Sequence, residues 1–296
     1  MKLLSIVIVV SLSLCVAAYN KEISCLLPNL TSSTYDIWGF PVDTFKSGDE
    51  PALNAQDELD LIYSLLTYAI VYKTWQSDVG SSYTYKGFNF GALLISEHNE
   101  IAHWGRNMVF SEKDGTQHGE VRAIQQYLKK SKASSLQGFT IHVGGDSCPM
   151  CSGMISQQKI RRAVLGLTNP LFGKNFDRMN QDSRQCGVGD IKGLGPVPRK
   201  VTPSMSPSAT RKKLDIEFRQ LVVESCESSN IESCKKFPSQ TDFLKSSVAF
   251  DLFENAFKDF LKYELVYPNE KAPQSRRSNK ELYETAKNFF HNNVNL

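Results

Sequence analysis

The sequence predicts an α/β fold, a sheet with helices on its faces, followed by a mostly helical C-terminal extension. Three observations predict it. Hydrophobic periodicity switches between helix and strand across residues 54–167, the pattern of a helix-covered sheet. The 296 residues are 41% apolar and 22% charged, enough to bury a core and unlike a disordered or fibrous chain. After residue 190 the alternation stops, and chains beyond roughly 250 residues tend to split into more than one unit.

Within 54–167 the elements follow one another as αββαβαβ. Leu59, Ile62, Leu66, Ala69 and Ile70 recur at helical spacing and predict a helix over 54–76. Residues 90–95, Phe-Gly-Ala-Leu-Leu-Ile, read as an apolar strand, His98-Asn99 as a turn, and residues 101–104 as the hairpin partner. Val121, Ile124 and Leu128 lie on one face of a helix over 117–130. Residues 139–143 form a strand rich in aromatic and β-branched side chains, 149–160 a second central helix, and 162–167 a closing strand.

Residues 192–213 hold four Pro and six basic residues with no acidic one, which reads as an extended linker-like segment over 191–213. The helical extension then fills 214–296. Its helices are expected over 214–224 and over 243–265, the second with a stripe of Leu244, Val248, Leu252, Ala256 and Phe260. Ser278-Asn-Lys-Glu281 is a capping box that opens a third, burying Leu282, Ala286 and Phe289.

The N-terminus predicts a compartment. Lys2, an apolar run over 3–16, and Val16 and Ala18 at the spacing a signal peptidase reads give a signal peptide over 1–18. The run is too short to span a bilayer, which takes about twenty residues, so the mature chain is expected without a membrane span. It is expected to be secreted, or periplasmic in a bacterium. Seven cysteines fit that compartment. Apart from Cys15 and the Cys148/Cys151 pair, Cys226 and Cys234 close a short polar loop and Cys25 is left with Cys186. Asn29-Leu30-Thr31 is a glycosylation sequon. A net charge of +3 excludes the strongly basic footprint of a dedicated nucleic-acid binder.

Two motifs carry chemistry. His118-Gly119-Glu120 opens one central helix and Cys148-Pro149-Met150-Cys151 opens the other. Cysteines at i, i+3 face the same way on a helix, and a helix N-terminus favours the thiolate that binds metal. With His118 they make three zinc ligands, which leaves a fourth tetrahedral position for water, the pattern of a catalytic site with one Zn2+ per chain. Glu120, two residues from the histidine, is placed to move protons to and from that water. Such a pairing of His-x-Glu with Cys-x-x-Cys is the signature of zinc deaminases of nucleobases. Other readings of the cysteine pair are a redox pair, a structural disulfide, or a zinc that only stabilises a binding module.

Residues 88–167 resemble the zinc-dependent cytidine and deoxycytidylate deaminase superfamily. Ser147-Cys-Pro-Met-Cys-Ser-Gly-Met-Ile155 is most similar to its guanine, cytosine and tRNA-adenosine deaminase branch. The resemblance implies a cytidine-deaminase-like layered sandwich over a domain of residues 19–190, core 54–167, and hydrolytic replacement of an exocyclic amine by a carbonyl. It implies His118, Cys148 and Cys151 as zinc ligands and Glu120 as proton shuttle. Asn107, in Gly105-Arg106-Asn107, matches an asparagine that binds the substrate base or sugar, and Phe90 sits where the family places a residue beside the base. The family's usual Glu-Pro before the first cysteine is Asp146-Ser147 here, and the Ser147 hydroxyl is expected to cap the helix. The expected substrate is a free nucleobase or nucleoside. RNA or single-stranded DNA, stacked on Tyr83, Tyr85, Phe88 and Phe90, is the alternative. The family also implies a homo-oligomer. His98, His103, His142 and His291 have no ligand spacing among themselves.

Overall fold

The computed structural model describes residues 40–41, 52–76, 86–170, 173, 175–176, 201–226 and 237–294. Among these, a helix α1 (Ala55–Lys73) precedes strands β1 (Gly91–Ile95) and β2 (Ile101–Arg106). Helix α2 (Gly119–Ser131), strand β3 (Thr140–Gly145), helix α3 (Pro149–Gln157) and strand β4 (Arg162–Leu167) complete an αββαβαβ order. Beyond it lie β5 (Thr202–Met205), α4 (Ala209–Ser225), the short α5 (Gln240–Phe243), α6 (Ser247–Lys262) and α7 (Asn279–Asn293).

The five strands form one sheet in the order β2-β1-β3-β4-β5. β1 is antiparallel to both its neighbours, while β3, β4 and β5 run parallel. Every residue of β1 is buried, as a central strand covered on both faces requires. Its period-2 alternation divides the core. Ala92 and Leu94 pack with Ala123, Ile124 and Ile155 of α2 and α3, while Leu93 and Ile95 pack with Leu59, Ile62 and Leu66 of α1 and with the C-terminal helices. α1 begins where Asn54 caps it, its Oδ1 accepting from Gln56 N and Asp57 N.

The C-terminal helices bury the outer face of α1. Phe218 of α4, Phe253 and Phe260 of α6 and Phe290 of α7 share one core with Leu59, Tyr63 and Tyr68. A buried carboxylate fastens this union: Glu58 accepts hydrogen bonds from Val266 N, Tyr267 N and Asn279 Nδ2. The Ser278–Glu281 capping box is present as expected.

Two expectations are corrected. The linker-like segment 191–213 is not a linker where it is described: residues 202–205 form the edge strand β5, and α4 begins at residue 209. Thr202 N donates to the carbonyl of Arg161, just before β4, and Ser206 N to that of Leu165 within it, so Pro203, lacking an N–H, occupies a position whose N–H faces away from the ladder. Composition reads as linker because an edge strand tolerates proline. The buried stripe of α6 is Ala249, Phe253, Ala256 and Phe260, with Val248 exposed, because the large rings of Phe253 and Phe260 set the helix rotation.

Residues 1–18, Cys25, Asn29, Tyr83, Tyr85, Cys186 and Cys234 lie outside the described residues. Cys226 is held in a disulfide whose partner also lies outside them. No helix of the described residues is long and apolar enough to cross a membrane.

Candidate active site

One end of the sheet gathers the chemistry. β1 begins there while β2, β3 and β4 end there, and α2 and α3 start there. Crevices outside the carboxyl ends of parallel strands are where α/β sheets bind ligands. α2 comes very close to β2: a Cβ on Gly105 would stand 2.3 Å from the Gly119 carbonyl oxygen and 2.7 Å from Ala123 N. Only glycine on the strand lets the first turn of the helix settle at that depth.

His118 is the N-cap residue of α2 in extended backbone geometry, and its side chain makes no capping hydrogen bond. The imidazole is directed at sulfur instead, with Nδ1 3.6 Å from Cys148 Sγ and 3.5 Å from Cys151 Sγ. Cys148 is the N-cap residue of α3, with Pro149 at the first helical position where its fixed φ suits the turn. Cys148 Sγ accepts from Cys151 N at 3.5 Å. The helix is therefore capped by the sulfur of Cys148 itself. The expected cap, Ser147, instead donates its hydroxyl to Glu120 Oε1 at 3.3 Å, because the turn places its side chain behind the helix start.

These groups perturb one another. The Cys148 thiol is pulled down to about 4, first by the hydrogen bond from Cys151 and then by His118. Cys151, as proton donor to Cys148 and buried, is pushed up. The Cys148 contact raises His118, and burial pushes the Glu120 carboxyl above the usual carboxylate range. Glu120 also interacts with the Cys151 side chain, so carboxylate and sulfur are neighbours.

The donor set fits zinc. The Nδ1 and two Sγ atoms all lie within 4.8 Å of one another, the one such cluster found among the described residues. Zn–S and Zn–N bonds at a tetrahedral angle put a nitrogen and a sulfur about 3.6 Å apart, which matches both His118 distances. One imidazole and two thiolates are also the ligands a borderline-soft ion prefers. His118, Cys148 and Cys151 could therefore hold the ion.

Asn107 and Phe90 form the next rung of the β1–β2 pair, Asn107 N donating to Phe90 O at 2.9 Å. Asn107 is buried, and its Oδ1 accepts from Phe88 N and Val109 N, which fixes the amide plane. Its Nδ2 makes no hydrogen bond among the described residues, so a donor is held ready at this end of the sheet. Phe88 packs edge-on against Phe110, which is 44% exposed.

His98, His103 and His142 are engaged elsewhere. His98 Nδ1 meets the Gln274 carbonyl, His103 Nδ1 its own strand backbone, and His142 is buried beside Ser64 and Asp60. Sequence reasoning missed the Ser147–Glu120 contact and the hydrogen bond from Asn175 Nδ2 to the Ser147 carbonyl at 2.7 Å. Asp146-Ser147 was the available signal, since serine there offers a hydroxyl where proline cannot.

Residues 71–167 match the family described as the cytidine and deoxycytidylate deaminase zinc-binding region. Over 97 residues the chain is 32% identical to a probable cytosine deaminase of Schizosaccharomyces pombe, covering 33% of this chain and 56% of that protein. A tRNA-specific adenosine deaminase of Buchnera aphidicola subsp. Schizaphis graminum is 31% identical over 98 residues, covering 31% of this chain and 64% of that protein. The chain thus spans less than two thirds of the length of these relatives. A solved guanine deaminase from Nitrosomonas europaea superposes with a TM-score of 0.36 at 18% identity, covering 60% of this chain and 93% of that one.

Proposed function

We propose, from the premise that residues 71–167 are a cytidine and deoxycytidylate deaminase zinc-binding region, that the chain is a zinc-dependent hydrolytic deaminase of a free nucleobase or nucleoside. The observation that carries this reading is the convergence of a buried, raised-pKa carboxylate, Glu120, on the His118, Cys148 and Cys151 donor set. A zinc that only stabilised the fold would have no use for such a carboxylate.

Zinc, when bound, supplies a water acidified towards neutral pH. Glu120 does the proton work: it takes a proton from the nucleophile and passes protons to a ring nitrogen and to the departing amine. A carbon–oxygen bond forms, the carbon–nitrogen bond breaks, and the amine leaves as ammonia. Burial raises the Glu120 carboxyl above its ordinary value, which makes it a stronger base for that proton. Asn107 Nδ2 donates to the substrate, and the Phe90 ring lies beside the base.

Export from the cell is part of the proposal. It is supported by the apolar run over residues 3–16 and by the disulfide at Cys226, a bond typical of oxidising compartments. A second reading, action on RNA or single-stranded DNA, draws on the exposed Phe110 ring next to Phe88 as a stacking platform.

The test is ammonia release by the mature chain against cytosine, cytidine, adenine, adenosine, guanine and guanosine, with zinc quantified and Glu120→Ala run beside it. Turnover of one compound, lost in the variant while zinc stays near one per chain, is the expected result. Zinc without turnover on any of them moves the assignment to a polynucleotide substrate or a binding module. Neither zinc nor turnover leaves a Cys148/Cys151 redox pair.

A further inference from the structure

Helix α5 is only four residues long, yet both its ends are bonded to backbone or side chains next to the segments that carry candidate site residues. Gln240 Nε2 donates to the Leu167 carbonyl at 3.0 Å and to the Thr168 carbonyl at 3.4 Å. Gln240 Oε1 accepts from Asn169 Nδ2 at 3.3 Å. The same Leu167 carbonyl accepts from Asp146 N at 2.8 Å, and Asp146 Oδ2 accepts from Asn169 N at 2.8 Å. One buried glutamine of the C-terminal extension thus shares a carbonyl with the residue two positions before Cys148. At its other end, the carbonyl of Leu244, which caps α5, accepts from Asn89 Nδ2 at 2.9 Å. Asn89 adjoins Phe90.

Between these two attachments lies Gly145. A Cβ there would stand 2.9 Å from Phe90 Cε1 and 3.3 Å from Gln240 Nε2, so the ring and the amide close in on the same point of the strand end. Burying a glutamine without partners is costly, and here both ends of its amide are satisfied by backbone or side chain at the exit of β4. Asp215 of α4 grips that exit from another direction, accepting from Thr168 N at 2.8 Å.

We propose that Gln240 is a positioning residue: through the β4 exit it fixes the Asp146-Ser147 loop that aims Cys148, and beside Gly145 it backs the Phe90 ring. The C-terminal extension is then a working part of the site. This inference rests on the zinc reading above. A displacement of about 1 Å in a catalytic constellation can cost about 100-fold in rate, so loss of these bonds should be felt at the metal as well as in turnover.

The experiment replaces zinc by cobalt(II) in the full chain and records the thiolate-to-cobalt absorption, with kcat and KM measured on the zinc form. Gln240→Ala removes the side chain, Gln240→Met keeps its volume without its hydrogen bonds, and Tyr283→Phe removes the Tyr283–Phe260 bond elsewhere in the extension. The expected result is a shifted cobalt band and a kcat lowered roughly tenfold or more in both Gln240 variants. Tyr283→Phe should lower only the melting temperature. Gln240→Met behaving as wild type would overturn the proposal, as would Tyr283→Phe moving the band as far as Gln240→Ala does. A wild-type band that neither Gln240 variant moves sinks this inference alone, while a wild-type chain that takes up no cobalt removes the metal reading with it.

Discussion

Ser147 Oγ donates to Glu120 Oε1 at 3.3 Å, joining the loop that aims one half of the site to the first turn of the helix that carries the other. The Ser147 carbonyl is itself held by Asn175 Nδ2 and Ser152 Oγ, so the backbone behind that hydroxyl is fixed on two sides. In the role proposed for Glu120, a carboxylate that accepts and then donates protons benefits from a partner that limits its rotamers.

Removal of that partner should cost turnover without costing metal. Ser147→Ala is expected to lower kcat about fivefold, the equivalent of about 1 kcal/mol for a long hydrogen bond. Ser147→Thr should restore most of it. Steady-state kinetics with zinc content on the same preparations decides the matter, and a Ser147→Ala enzyme depleted of zinc would show that the residue serves the metal instead.

The close approach of α2 to β2 makes Gly105 intolerant. Gly105→Ala would drive a methyl group into backbone atoms of Gly119 and Ala123, which cannot move without shifting the start of the helix. Overpacking of this kind costs roughly 1–3 kcal/mol. Thermal or urea unfolding of the variant measures it, and wild-type stability would show that α2 sits further from the strand.

Glu58 fastens the extension to α1. Replacing it with alanine takes this acceptor from Val266 N, Tyr267 N and Asn279 Nδ2. Asn279 Nδ2 keeps the Ala55 carbonyl and the two backbone donors are only part-buried, so, with about 1–3 kcal/mol for an unsatisfied buried donor, Glu58→Ala should lower stability by about 1–3 kcal/mol and expose residues 263–278 to protease. Limited proteolysis followed by mass spectrometry reads both effects, and an unchanged digestion pattern would refute the role.

His142 gives the fold an acid-sensitive element. Burial, with Arg162 close by, pushes its imidazole down to about 3 from the ordinary 6.5, so the folded chain holds it neutral. Its Nε2 is 3.8 Å from Asp60 Oδ1, too far for a hydrogen bond, and Arg162 engages that carboxylate. Between those two pH values the unfolded chain binds a proton that the folded chain refuses. Stability from this group is therefore complete above about pH 6.5 and falls as pH drops, by up to about 1.4 kcal/mol per unit. Urea midpoints at pH 7, 6 and 5 should fall in that order, and His142→Gln should flatten the trend.

What the sequence determined by itself was local. The αββαβαβ order followed from hydrophobic periods of 2 and 3.6, which are printed in the spacing of residues such as Leu59, Ile62 and Leu66. His118, Glu120, Cys148 and Cys151 were legible as candidates because two short motifs at helix starts fix which side chains share a direction. The tertiary structure decided the rest. It turned residues 202–205 into an edge strand, aimed Ser147 at Glu120 rather than at the helix it precedes, and laid Gln240 against the exit of β4. Each of these joins residues 27 to 73 positions apart or pairs one strand with another. Such contacts leave no period in the chain, because their geometry is set by how whole elements pack, and a single polar side chain carries no mark of which distant carbonyl it will meet.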